Sequence, residues 1–247
     1  MNAISNIKIL LFKELKDQFT SPLIYSLTGL FCLLIGWLFF NYMVLSKDYY
    51  NETLTTSVII PIFANMNFIF VLIAPLITMR SFAEEKKQNT IELLFLSHLG
   101  PWQIIIGKFL AAWIVAIFMI AFTGLFPLVL ALSGYSDFGV LFSSYAGLIC
   151  TVACFVAVGI FTSSLTNNQI FAALLAFFLI FILMLLVLIM NVSYNYLLAQ
   201  ILQYLSSSFH FQDFVKGVIK SYNLIYFISF IFFFFYLTHE SLDSRNW

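Results

Sequence analysis

Long apolar runs without charge alternate with short polar breaks along this chain. A helix needs about 20 apolar residues to cross the ~30 Å hydrocarbon core of a bilayer. Runs of that length predict spans at about 23–45, 58–79, 109–133, 140–161, 170–190 and 221–237. Residues 138–212 contain no Asp, Glu, Lys or Arg and are too long for one crossing, so the polar cluster from Thr162 to Gln169 is read as the break within them. The pattern predicts an all-α polytopic membrane protein: six transmembrane helices in a single domain over 1–247, with both termini on the same side.

Composition agrees with the pattern. The 247 residues are 62% hydrophobic and 9% charged, with a mean hydropathy of +1.02, and cannot present the charged surface of a soluble domain. Eleven Lys and Arg balance eleven Asp and Glu, which excludes the basic footprint of a nucleic-acid partner. Lys8, Lys13, Lys16, Arg80, Lys86, Lys87, Lys108 and Arg245 fall on the side of the termini, against Lys47, Lys216 and Lys220 opposite. That excess of positive charge predicts cytoplasmic termini. The first 19 residues are polar and charged throughout and do not read as a cleavable signal.

The segments between spans carry further patterns. Ile4, Ile7, Leu11, Phe12, Leu15 and Phe19 share one face of a helix over 1–20, with Asn2, Asn6, Lys13 and Asp17 opposite and Ile9 as the exception. Such a helix lies along headgroups, either as an elbow involving Lys8, Leu11, Phe12, Leu15, Lys16 and Phe19 or as a plain basic anchor. In the fourth span, Ala146, Cys150, Ala153, Cys154 and Ala157 form a small-residue stripe that allows another helix to come close. No His or carboxylate accompanies Cys150 and Cys154 at ligand spacing, so the pair is read as packing. The external segment 192–220 holds two helices too short to cross, separated by Ser206, Ser207 and Ser208; a re-entrant pair and two flat interfacial helices both fit.

The segment 80–101 holds the densest run of charge. Ser81 and Glu84 have capping-box spacing, Glu84, Glu85, Lys86 and Lys87 follow, and the chain then turns apolar through Leu93, Leu94 and Phe95. Asn89-Thr90 is a candidate break, and Gly100-Pro101 a start for the next helix. A docking surface for a cytoplasmic partner and a solvated charged face followed by an interfacial segment both account for it.

The run RSFAEEKKQNTIELLFLSHLGPWQIIIGKFLA resembles the cytoplasmic segment of ABC-2 type exporter permeases, in the branch that includes gliding-motility and copper-processing permeases, and is most similar to the gliding-motility permease. The stretch from His210 to Trp247 resembles that branch's last external helix, final span and tail. The family usually has Gly where this chain has Asn89 and Pro where it has His98; Asn tolerates a left-handed turn. The resemblance implies a permease subunit of a bacterial inner membrane, working with two copies of a separate ATP-binding subunit and a second permease copy or related membrane subunit. A large periplasmic or auxiliary membrane protein is a further implied partner. It also implies a coupling helix from about Phe82 to Leu96 that docks in the ATPase, with Phe82, Glu84, Glu85, Lys86, Lys87, Glu92, Leu93, Leu94 and Phe95 as contacts and residues 8–19 bracing them.

The chain itself is read as no enzyme. A phosphate-cradling loop needs G-x-x-x-x-G-K-[ST]; between Gly100 and Gly107 lie six residues, and Phe109 follows Lys108. No cofactor is expected on this chain, ATP and magnesium belonging to the partner. No ionisable residue falls securely within the predicted spans, which argues against an ion-coupled carrier. An ATP-driven exporter and a scaffold for a motility or envelope machine share the remaining features.

Overall fold

The computed structural model describes residues 3–46, 53–90, 99–132, 135, 137–189 and 196–244. Among these the protein is all-α, with six helical stretches long and apolar enough to cross a membrane. Helix α1 (Ala3–Thr20) breaks at Ser21, whose extended backbone lets Pro22 open α2 (Pro22–Leu45). After a π-helical turn (Thr55–Ile59) comes α3 (Ile60–Thr78), then the short α4 (Ala83–Lys87). Helix α5 runs from Pro101 to Phe122, followed after a turn at Thr123-Gly124 by α6 (Leu125–Leu132). Helices α7 (Phe138–Leu165) and α8 (Gln169–Ile189) meet at the predicted polar break, α9 (Tyr196–Leu205) and α10 (Ser207–Val215) are the two short helices, and α11 (Ser221–Asp243) completes the bundle.

Helix α7 is the axis. It contacts α3, α5, α8, α10 and α11, and most of its length is buried. Lipid supplies no hydrophobic drive between helices, so close backbone approach must do the work. Of the predicted stripe, Ala153, Cys154 and Ala157 are buried, while Ala146 and Cys150 are half-buried. Cys154 packs with Phe214 and Phe227. The tightest approaches fall on two glycines outside the stripe. A Cβ on Gly147 would stand 2.4 Å from Phe214 Cβ of α10, and one on Gly159 would stand 2.0 Å from Thr78 Oγ1 of α3.

Polar side chains stitch neighbouring spans. Asn65 Nδ2 donates to the Tyr42 hydroxyl at 3.0 Å, joining α3 to α2, and Trp113 Nε1 donates to the Ile149 carbonyl at 3.2 Å, joining α5 to α7. Of the two short helices, α10 is tucked against α7 and α8, whereas α9 leaves Leu197 and Ile201 exposed.

The ends of the bundle differ in character. At one end α1, α4, the start of α5, the α7–α8 turn and the end of α11 come together; at the other lie α9, α10 and the start of α11. The charged end holds the candidate site.

Candidate functional site

Helix α4 follows four residues after α3 has ended, and its geometry corrects the expected cap. Ser81 does not cap it: the hydroxyl is buried without a hydrogen-bond partner among the described residues, and Phe82 occupies the cap position. The first free N–H groups of a helix need acceptors, and they find one 80 residues away. Ser163 Oγ accepts from Phe82 N at 3.0 Å and Ala83 N at 3.1 Å, and donates to the Met79 carbonyl at 3.2 Å. Beyond α4, Asn89 turns the chain with φ of 55°, the left-handed conformation expected where the family has Gly. The expected helix to Leu96 is thus interrupted at Asn89. Glu92, Leu93, Leu94, Phe95 and His98 lie outside the described residues.

The Ser163 cap gives a direct test. Ser163→Ala removes the shared acceptor from two buried donors, so we expect a stability loss of about 1–2 kcal/mol. Protease cleavage within 80–90 should become faster at the same time, as followed on the purified protein.

Helix α5 starts at Pro101 because extended Gly100 precedes it and proline suits a first turn. It therefore begins before the predicted third span, and Lys108 lies two turns inside it rather than at its edge. Lys108 is 2% exposed, and its Nζ donates to Glu14 Oε1 and Glu85 Oε1, each at 2.8 Å. The Phe82 ring centroid lies 5.2 Å from the same ammonium. One buried cation thus joins α1, α4 and α5. An unpaired charge there would be costly, and two carboxylates with an aromatic face offset that cost.

The same junction sets which face of α1 meets the bundle. Leu10 is buried over Gly107, where a Cβ would stand 2.8 Å from Leu10 Cδ2, and Phe19 meets Phe118 edge-on at 5.1 Å. Leu11 and Leu15 are half-buried, Phe12 is exposed, and Lys8 and Lys16 are exposed. Because α1 packs on α5, a carboxylate with a partner belongs on its inner face.

The docking candidates therefore divide. Phe82 and Lys86 are buried inside the subunit, and Lys86 Nζ donates to the Ser164 carbonyl. Glu85 is spent on Lys108, Glu84 is half-buried, and Lys87 is exposed. Sequence reasoning missed Glu14, Lys108, Ser163 and Gly107. A lone lysine in the run IIIGKFLAAWIV was the one available signal, since a charge at that depth needs a partner.

Beside the junction opens a cleft of about 1350 Å³, lined by Lys13, Glu14 and Asp17 of α1, by Arg80, Glu84, Glu85 and Lys108, and by an apolar floor including Ile24 and Ile77. Glu85 Oε2, Gln18 Oε1 and Ser81 Oγ, all from lining residues, are buried without a hydrogen-bond partner among the described residues.

Six apolar crossings around a buried axis, with a charged multi-helix junction at one end, define a multi-pass membrane protein with an organised polar end. The chain belongs to the ABC-2 family of transporter proteins, whose family profile matches residues 38–238. No curated protein matches the chain. Members of the family are the membrane components of ABC transporters and work with an ATP-binding subunit.

Proposed function

We propose that this chain is the force-receiving permease subunit of an ATP-driven transporter, and that force enters through α4 and is shared by the Lys108 junction. The observation that carries this reading is the single ammonium bound by carboxylates from α1 and α4 while seated on α5. Movement of α4 displaces Glu85, and through Lys108 and Glu14 the displacement reaches α5 and α1 together. Lys86 and Ser163 tie α4 to the α7–α8 turn in the same way. Ser164 and Ser241, 3.2 Å apart, extend the connection to α11.

In this reading the charged end faces the cytoplasm of a bacterial inner membrane and two ATPase copies dock there, on two permease subunits, identical or related. Glu84 and Lys87 are the outward contacts on α4, and Glu92, Leu93, Leu94 and Phe95 remain docking candidates from the sequence. The likeness of the 80–111 run to the gliding-motility branch supports mechanical work on an envelope partner as the output. The test is co-purification. Glu84→Lys combined with Lys87→Glu should lower ATPase association on the order of tenfold while the permease stays folded. Undiminished association would remove α4 from the interface.

A further inference from the structure

The opposite end of the bundle carries a polar cluster that the coupling reading does not use. His210 of α10 is 1% exposed. Its Nδ1 lies 2.7 Å from Asn223 Oδ1 and its Nε2 lies 3.0 Å from the Tyr204 carbonyl oxygen. Both ring nitrogens thus face oxygen acceptors. A neutral imidazole has one N–H and can satisfy only one of them; the imidazolium satisfies both.

Turning the Asn223 amide over would relieve the conflict by presenting nitrogen to the ring, but the neighbours oppose it. Asn223 Nδ2 donates to Asp213 Oδ2 at 3.1 Å. Asp213 also accepts from the Tyr222 hydroxyl at 2.8 Å and pairs with Lys220 at 3.2 Å. A turned amide would set its oxygen against that carboxylate. The Tyr226 ring stacks on the imidazole, centroids 4.0 Å apart and planes 18° apart, a face that favours a cation. Its hydroxyl donates to the Leu205 carbonyl at 2.8 Å. The last residues of α9 are therefore tied to α10 by His210 and to α11 by Tyr226.

We propose that His210 is a proton-set latch: doubly protonated, it binds the end of α9 and the start of α11 to α10, and losing one proton releases one of the two. The titratable and charged groups around it are Tyr204 of α9, Asp213 of α10, and Lys220, Tyr222 and Tyr226 at the start of α11. Lys216 lies exposed at the end of α10, and Cys154 of α7 lies behind Phe227, its Sγ 3.8 Å from that residue's carbonyl oxygen. Burial raises the Asp213 carboxyl, but hydrogen bonds from Asn223, Tyr222 and Lys220 outweigh it and hold the group below its ordinary value. The carboxylate that fixes Asn223 thus persists across the range in which histidines titrate. Because the latched state holds the extra proton, latching is favoured by acid and weakens as pH rises. On the orientation proposed above, the latch reads the pH on the non-cytoplasmic side of the inner membrane.

Hydrogen exchange on the purified full-length protein in detergent, corrected for intrinsic rates, tests the latch without relying on that orientation. From about pH 5 to about pH 8, protection of 196–226 should fall on the order of tenfold while that of α5 stays constant. His210→Gln, which cannot gain a charge, should remove the pH dependence. Asn223→Leu, which leaves one acceptor that the neutral ring can serve, should reduce it. Constant protection in the unaltered protein overturns the proposal, as does an unchanged slope in His210→Gln.

Discussion

Lys108→Met is expected to destabilise the folded subunit by about 3 kcal/mol, the lower end of the cost of breaking a buried ion pair. Methionine preserves most of the side chain's length and apolar stem, so packing changes little. What is lost is the positive charge between Glu14 and Glu85. The two carboxylates then face each other at 12% and 18% exposure, reached by water from the cleft, and this partial solvation places the effect at the lower end. Adding Glu14→Gln and Glu85→Gln should recover part of the loss by removing the repulsion. Thermal denaturation in detergent reads both effects, and an unchanged midpoint in Lys108→Met would show that the junction contributes little to the fold.

Gly159→Ala should be comparably damaging for a steric reason. The added methyl would stand 2.0 Å from Thr78 Oγ1 and 2.8 Å from Thr78 Cβ, so α3 and α7 must separate. Overpacking of a tight core costs about 1–3 kcal/mol, and here the obstruction is a side chain anchored to its own helix by a 2.8 Å bond to the Ala74 carbonyl. Thr78→Gly should restore much of the loss when combined with Gly159→Ala, though it is harmful by itself. That non-additivity identifies a direct contact. Additive effects of the two changes would contradict the close approach.

The bundle was legible because crossing length and charge-free composition are local properties. Polarity located both breaks, but each is shorter than predicted: α7 runs to Leu165 before α8 starts at Gln169, and of the three serines only Ser206 lies between α9 and α10. Asn89 was legible too, since few other residues adopt a positive φ. The polar junction was not, because its partners are distant in sequence. Lys108 meets a carboxylate 94 residues away, and α4 takes its capping oxygen from Ser163 while Ser81, at ideal local spacing, goes unused. Which face of α1 meets the bundle was not legible either: periodicity grouped Leu11 and Phe12 on an apolar face, while Glu14's bond to Lys108 turns Leu10 and Glu14 toward α5 and leaves Phe12 exposed. In the small-residue stripe, composition located the right helix while the closest approaches fell on Gly147 and Gly159.

Force transfer through α4 requires that its exposed end meet the ATPase from the cytoplasm. In a variant whose three native cysteines are replaced, Lys87→Cys supplies one reactive site on α4. Cross-linking in sealed inverted membrane vesicles should join this cysteine to the ATP-binding subunit, with a yield that changes when nucleotide is added. A cysteine labelled only from the opposite side of the membrane, with no ATPase adduct, would contradict the account.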